Sequence, residues 1–203
     1  MIVIGLTGGI GAGKSEAARI LQELGAVIIS ADQVGHQAYT PGSEAWQEVV
    51  KTFGREILQP DGGIDRKKLG GIVFSDPAQL DTLNRIMHPR MARMVSERLD
   101  QLRGQGVPVV VVEAAVLFEA GWDSLVEEVW TVDAPADMVI QRLQARSGLS
   151  ESEAQKRIMS QMPAQERARR SDIVIDNSGD VAALETAILS LWNGRVKEKV
   201  GKV

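Results

Sequence analysis

Short apolar segments alternate along the chain with longer segments whose apolar residues recur every three or four positions. The short segments are typical of buried strands, and they predict strands over residues 2–7, 26–30, 107–113, 128–132 and 173–175. The four consecutive valines at 109–112 favour a central strand of a parallel sheet that is covered on both faces. The periodic segments predict helices over 14–24, 135–146 and 180–191, and Ser150 with Glu153 predicts a capping box that begins another helix.

This alternation of strands and helices predicts an α/β fold with right-handed crossovers. Residues 34–103 interrupt it, because this long segment is mostly helical in pattern and carries several prolines and a Gly62-Gly63 pair. We therefore predict a helical insert. The basic segment 195–203 is predicted to fray.

Composition narrows the function classes. The 203 residues are 44% hydrophobic and 25% charged, as in one globular domain, and the absence of cysteine excludes disulfides, thiolate zinc sites and cysteine nucleophiles. A net charge of −4 argues against a cationic nucleic-acid binder. The apolar start reads as a strand, since it lacks the basic region of a signal peptide, and no apolar run approaches the roughly 20 residues of a membrane span. We expect a cytoplasmic enzyme with no nucleic-acid or membrane partner.

Residues 8–15 read Gly-Gly-Ile-Gly-Ala-Gly-Lys-Ser and match the phosphate-binding loop G-x-x-x-x-G-K-[ST]. The glycines let backbone amides turn inward around an anion, and the helix that follows adds its partial positive charge. Lys14 is expected to reach the β- and γ-phosphates, and the Ser15 hydroxyl to ligate Mg²⁺. The preceding apolar strand argues against a plain glycine turn. A dinucleotide-binding loop is disfavoured, because Lys14 stands where its third glycine or alanine is needed.

Among P-loop proteins, a GTPase is disfavoured because no N-K-x-D segment is present. The length suits a small kinase better than a helicase or motor. Asp32 follows the second predicted strand, which places it at the carboxyl edge of the sheet, where ligands bind in open α/β sheets. A carboxylate there orients an acceptor hydroxyl and takes its proton. The alternative for Asp32 is a helix N-cap.

These residues also carry a family resemblance. The loop, Ser30-Ala31-Asp32, His88-Pro89, Leu117-Phe118-Glu119 and the stretch from Arg157 through Gln161-Met162-Pro163 to Asp176-Asn177-Ser178-Gly179 resemble the dephospho-CoA kinase family over residues 2–190. The resemblance implies that ATP phosphorylates the ribose 3′-hydroxyl of dephospho-coenzyme A, the last step of coenzyme A synthesis. It also implies a three-layer P-loop kinase fold with a five-stranded parallel sheet. Within one domain, we assign the core to 1–33, 104–140 and 171–203, the acceptor-binding insert to about 34–103 and a mobile lid to about 141–170.

Three positions depart from the family pattern. Glu16 stands where the family often has threonine, Ala115 replaces a common proline, and Ser171 replaces an alanine before Asp172. A carboxylate at position 16 is electrostatically unfavourable beside phosphates unless it points away. The other two departures look structural.

The predicted site follows from the loop and the resemblance together. Lys14, Asp32 and Arg142 are the predicted catalytic residues, and Arg146 is the second candidate for the arginine. The nucleotide is assigned to Gly11, Ala12, Gly13, Lys14, Ser15, Glu16 and Asn177. The acceptor is assigned to Asp32, Arg66, His88, Leu117, Phe118 and Glu119. The metal is Mg²⁺, held by Ser15, phosphates and water, because two isolated histidines give no metal-ligand spacing.

Several of these residues keep a structural alternative. Glu113 either acts on Mg²⁺ through water or caps the next turn. Phe118 either lines the acceptor cleft or packs in the core, and Asn177 either contacts the base or forms a turn. His88 precedes Pro89 and is predicted to begin a helix. The cations of 142–170 form either a solvated helix face or an anion clamp.

The predicted mechanism is direct in-line transfer without a phosphoenzyme. ATP and dephospho-coenzyme A are the expected partners, and the protein is expected to be a monomer or a weak homo-oligomer. Two rival functions stay open at this point: another small-molecule kinase, such as a nucleoside monophosphate kinase, and a nucleotide-gated regulator that binds a partner protein.

Overall fold

A five-stranded parallel sheet forms the centre of the computed structural model, which describes residues 1–201. Its strands are β1 (Ile2–Gly8), β2 (Val27–Ser30), β3 (Val109–Glu113), β4 (Glu128–Asp133) and β5 (Ile173–Asp176). They lie in the order β2-β3-β1-β4-β5, and every neighbouring pair is parallel. The predicted α/β class and the parallel five-stranded sheet are confirmed.

The helices fill the connections between these strands. They are α1 (Lys14–Glu23), α2 (Ala31–Ala38), α3 (Glu44–Phe53), α4 (Arg66–Val73), α5 (Pro77–Gly104), α6 (Ala136–Ser147), α7 (Glu151–Met159), α8 (Ala164–Arg170), α9 (Val181–Leu191) and α10 (Lys197–Val200). The predicted capping box of Ser150 and Glu153 is present at the start of α7. No described helix is both long and apolar enough to cross a bilayer.

The chain divides into two compact units, residues 1–30 with 99–203 and residues 31–98. In the first unit, all seven residues of β1 are buried, and the valines of β3 lie beside them. Helices α1 and α9 supply the apolar side chains that cover one face of this sheet, including Leu21 and Ile188, which are fully buried. The sheet thus holds β1 rigidly at its centre, with the phosphate loop at its carboxyl end.

The second unit has an apolar core of its own. Residues from α3, α4 and α5 meet there, and Val49 and Ile57 are completely buried. The prediction that His88 begins a helix is wrong, because α5 is continuous from Pro77 to Gly104 and contains Pro89 in its interior. Ile86 and Met87 are buried in this core, and we attribute the unbroken helix to that packing, which outweighs the hydrogen bond that a proline removes.

The segment after α9 is helical, contrary to the fraying predicted for 195–203. A π-helical turn at Trp192–Val196 leads into α10, and Trp192 and Val196 are buried. Arg195 and Lys199 pair with the buried carboxylate of Glu128 at 3.0 and 3.4 Å. These contacts order the segment up to Gly201, and the rest of the prediction lies outside the described residues.

Candidate active site

The phosphate loop connects β1 to α1 in a conformation that its glycines make possible. Gly11 has φ +73° and Gly13 has φ +103°, which side-chain-bearing residues rarely adopt. The Ala12 amide donates to the Gly9 carbonyl at 3.1 Å, and α1 begins at Lys14. The first amides of a helix have no partner within it, so the start of α1 presents N–H groups and a partial positive charge to an anion.

Asn177, directly after β5, braces this loop from outside. Its Nδ2 donates to the Ala12 carbonyl at 2.7 Å, and the side chain is buried. A Cβ added to Gly13 would lie 2.0 Å from that nitrogen, so the loop and the amide are in intimate contact. Because its amide nitrogen is engaged here, Asn177 acts in this state on the loop. Its predicted contact with the nucleotide base stays a prediction.

Arg142, on α6, reaches the same place. Its Nη2 donates to the Asn177 carbonyl at 3.0 Å, whereas its Nη1 is buried and has no hydrogen-bond partner among residues 1–201. A buried donor without a partner is costly, and this one lies in the group that braces the phosphate loop. The arginine that the resemblance singled out therefore holds an uncommitted donor near the loop, while Arg146 is exposed.

Lys14 is paired with Glu113 at the end of β3. Its Nζ lies 2.5 Å from Oε1, and the side chains are only 16% and 13% exposed. The register of the sheet explains the pairing, since Glu113 lies opposite Leu6 on the strand that leads into the loop. Glu113 is thus the counter-ion of the loop lysine in this state, a role that the sequence reading did not consider.

Glu16 points to Arg19 on the same helix. The carboxylate accepts from Arg19 Nη2 at 2.6 Å, and this hydrogen bond lowers the pKa of Glu16. Arg19 is also paired with Glu23 and Glu185. The unfavourable charge that position 16 places after the loop serine is therefore neutralised by a cation on the outer side of α1.

A cavity of about 590 Å³ adjoins the loop. Its wall combines Gly9, Ile10 and Ala12 with residues from the end of β4 into α6 and from the end of α7 into α8. Gln161 bridges the two sides, because its Oε1 accepts from the Ile10 amide at 2.8 Å. Arg167 lines the same cavity and is 3% exposed. Neither residue was assigned from the sequence, where Gln161 belonged only to the family pattern and Arg167 to a group of clustered cations.

The Leu117-Phe118-Glu119 segment is split between the interior and the surface. Leu117 and Phe118 are buried, whereas Glu119 is exposed. The Arg170 guanidinium stacks 4.3 Å from the centre of the Phe118 ring and lies 3.4 Å from Asp123. Both apolar residues thus have a packing role, and of the three only Glu119 presents its side chain to solvent.

The remaining predicted acceptor residues belong to the compact unit 31–98. Asp32 lies in the first turn of α2 and is exposed, so it is not the N-cap of that helix. The ring of His36 bonds to the Asp32 carbonyl through Nδ1 at 2.6 Å and meets Arg66 through Nε2. Because a carbonyl only accepts, Nδ1 carries the proton and Nε2 accepts from the guanidinium. His88 lies half-buried on α5.

Comparison with known proteins points to the same family as the motifs of the sequence. Residues 2–183 match the family model described as dephospho-CoA kinase. Dephospho-CoA kinases of Geobacter sulfurreducens and Carboxydothermus hydrogenoformans are 48% and 46% identical to this chain. The first alignment covers 96% of this chain and 99% of the relative, and the second covers 93% and 92%.

Solved structures give the same fold. The dephospho-CoA kinase of Campylobacter jejuni aligns with a TM-score of 0.74 at 26% identity, over 97% of this chain and 98% of that one. The shikimate kinase of Bacteroides thetaiotaomicron aligns with a TM-score of 0.55 at 14% identity, over 95% and 97%, and supports the P-loop kinase fold alone.

Proposed function

The chain belongs to the dephospho-CoA kinase family, and we propose from this that it transfers the γ-phosphoryl group of ATP to the ribose 3′-hydroxyl of dephospho-coenzyme A. The products are coenzyme A and ADP, and the reaction completes coenzyme A biosynthesis. The observation that carries this proposal is the braced phosphate loop at the centre of a sheet, in a chain matched by the family model over residues 2–183.

In this proposal, the loop amides and the start of α1 bind the triphosphate, and Lys14 exchanges Glu113 for phosphate oxygens. The 2.5 Å ion pair supports that exchange, because it holds the Lys14 ammonium against an anionic partner at the carboxyl end of β3. An incoming phosphate replaces one anionic partner by another, so the cost of desolvating the ammonium is small.

Asp32 orients the acceptor hydroxyl and takes its proton as the bond to phosphorus forms. Its exposed position in the first turn of α2 supports the role, because the carboxylate is not used as a helix cap. Arg142 stabilises the charge that develops on the transferred group, and its uncommitted Nη1 is the donor available for that purpose. The proposed acceptor site also keeps Arg66, His88, Leu117, Phe118 and Glu119, and Glu16 contributes to the nucleotide site through its backbone.

Mg²⁺ fits the donors at the loop. No cluster of three or more histidine, cysteine, aspartate or glutamate side chains that suits a metal occurs in the described part of the chain. The exposed Ser15 hydroxyl and the Glu113 carboxylate are hard oxygen donors of the kind that Mg²⁺ uses together with phosphates and water. When bound, the cation supplies positive charge to the phosphate oxygens.

A lid, two small-molecule partners and a cytoplasmic location complete the proposed function. Residues 141–170 act as a lid, and its closure excludes water that would compete as acceptor. ATP and dephospho-coenzyme A are the partners, with no nucleic acid and no membrane. The protein is a cytoplasmic monomer or weak homo-oligomer.

The test is ADP release from Mg²⁺-ATP with and without dephospho-coenzyme A. Adenosine monophosphate and shikimate serve as control acceptors. We expect strong stimulation by dephospho-coenzyme A alone, with coenzyme A as the product. Stimulation by adenosine monophosphate would instead favour a nucleoside monophosphate kinase, and the absence of any stimulation would contradict the assignment of the acceptor.

A further inference from the structure

We propose that Arg167 is a second phosphate-binding arginine of the nucleotide site and contacts the γ-phosphate of ATP. This inference rests on the proposed function only in taking ATP as the nucleotide. It concerns a residue on α8 to which neither the loop motif nor the family resemblance gave a role.

The first observation is a buried cation without an ion-pair partner. Arg167 is 3% exposed, and no carboxylate of residues 1–201 lies within ion-pairing distance of it. Burial lowers the pKa of its guanidinium, and the negative charges of Glu119 and Asp133 act in the opposite direction. Its Nη2 donates to the Met162 carbonyl at 2.8 Å, whereas Nε is buried with no partner in that range. A buried charge without a partner raises the free energy of the folded protein, and an anionic ligand that pairs with it offsets this desolvation cost.

The second observation is where the guanidinium lies. A Cβ added to Gly9 would be 3.3 Å from Arg167 Nη1, so the cation lies beside the second residue of the phosphate loop. Arg167 also lines the 590 Å³ cavity, together with Gly9, Ile10 and Ala12. Arg167 therefore faces space that opens directly onto the loop.

The position of Arg167 along the loop indicates which phosphate of ATP it contacts. The amides of such a loop cradle the α- and β-phosphates, and the loop lysine reaches the β- and γ-phosphates. Gly9 lies at the strand end of the loop, next to β1, and Lys14 begins the helix. In this proposal the γ-phosphate lies on the strand side, beyond the phosphates that the loop amides hold, so a cation beside Gly9 distinguishes ATP from ADP.

The third observation is how Arg167 is held. Gln161 and Met162 are consecutive residues between α7 and α8, and each accepts one hydrogen bond, from the loop in one case and from Arg167 in the other. Gln161 Oε1 accepts from the Ile10 amide at 2.8 Å, and the Met162 carbonyl accepts from Arg167 at 2.8 Å. One short turn thus binds both the loop and the arginine, which fixes the guanidinium relative to the phosphate site. Gln161 is a positioning residue in this arrangement.

The experiment compares Arg167→Met and Arg167→Lys with the matched control Arg169→Met. Arg169 lies on the same helix, is exposed, and bonds only to the Gln165 carbonyl of its own helix. Dissociation constants for ATP and for ADP, both with Mg²⁺, are measured by titration calorimetry, and kcat and KM by ADP release.

We expect Arg167→Met to weaken ATP binding by about 10- to 100-fold, the loss typical of a charge-assisted hydrogen bond, while ADP binding changes by less than about 3-fold. The turnover number falls with it. Arg167→Lys retains part of the ATP preference, because a point charge replaces the planar fork, and Arg169→Met matches the parent.

Equal losses for ATP and ADP would overturn the proposal and leave Arg167 a brace of the loop. Reduced thermal stability with an unchanged ATP-to-ADP preference would overturn it as well. If Arg167→Met does not fold, Gln161→Ala answers the question, because freeing the turn is expected to lower the ATP preference by about 3- to 10-fold. Nucleotide affinity does not depend on the acceptor, so failure of the acceptor assignment and failure of this proposal are distinguishable.

Discussion

Replacing Gly13 by alanine tests the contact between the phosphate loop and Asn177. The substitution adds one methyl group at a residue with φ +103°, and that carbon would lie 2.0 Å from the Asn177 amide nitrogen. Two non-bonded atoms cannot approach this closely. Either the loop shifts or Asn177 swings away and gives up its 2.7 Å hydrogen bond to Ala12.

The expected loss of folding stability in Gly13→Ala has two parts. The backbone conformation costs a residue with a Cβ about 1–2 kcal/mol. Displacing Asn177 leaves the buried Ala12 carbonyl without its partner, which costs about 1–3 kcal/mol. We therefore expect Gly13→Ala to lower the free energy of unfolding by about 2–5 kcal/mol, and Asn177→Ala to lower it by about 1–3 kcal/mol.

A double-mutant cycle separates the two parts. In the double variant the added methyl group at residue 13 no longer meets the Asn177 amide. Its loss of stability is therefore the backbone cost at residue 13 plus the loss of one hydrogen bond, the one from Asn177 to Ala12. The two single effects should then exceed the effect of the double variant by about 1–3 kcal/mol, the value of the shared bond. Free energies of unfolding come from urea denaturation by linear extrapolation, with unchanged m-values as the check on two-state behaviour.

Additive effects within about 0.5 kcal/mol would refute the reasoning, because they would mean that Gly13 and Asn177 do not share a contact. A useful control is Gly25→Ala. Gly25 also has positive φ, at +107°, but a Cβ there meets nothing within 4 Å, so this variant carries the backbone cost without the clash. Its effect should add to that of Asn177→Ala.

Three further predictions concern charge. Asp32→Asn should leave the calorimetric ATP affinity intact and lower turnover by at least about 100-fold, the usual value of a positioned base; near-normal turnover would contradict its role. Glu113→Gln removes the counter-ion of Lys14, so in urea denaturation ATP without Mg²⁺ should stabilise this variant more than the parent, and an equal or smaller gain would argue against the exchange of partners. The hydrogen bonds from Ser150 lower the pKa of Glu153 from its usual 4.5, so the stability they give is present above pH 4.5 and is lost as the pH falls through the folded-state value. In Ser150→Ala the carboxyl should titrate in NMR nearer to 4.5, and an unchanged pKa would exclude the capping box as the cause.

The elements that sequence predicted well are those fixed by local pattern. The five strands were placed within two residues at each end, because a buried parallel strand must be a short apolar run. Local rules failed at Pro89, where packing of Ile86 and Met87 holds α5 together across a residue that disfavours helix. They failed again after α9, where pairing with Glu128 orders a segment that looks merely basic.

The candidate site also contains both residues that a local motif predicts and residues that only the fold brings to the loop. Its loop is a contiguous motif, so Lys14 and Ser15 were assigned directly. Gln161 and Arg167 act on the loop across a separation of about 150 residues, and no local signal distinguishes Arg167 from the exposed arginines around it. Such residues become visible only when burial and unpaired donors are known.

The distance along the chain between Ala12 and Asn177 has a consequence for biosynthesis. These two residues are 165 positions apart, and β1 has no neighbour in the sheet until β3 has been made and gains its second neighbour only with β4. During translation, β1, whose seven residues are all buried, is therefore made before its sheet partners and paired late, and non-local pairing of this kind is slow. Nucleotide binding cannot stabilise the nascent chain during this time, because the nucleotide site has not yet formed. We expect the exposed β1 to depend on chaperones until the ribosome has made its partner strands.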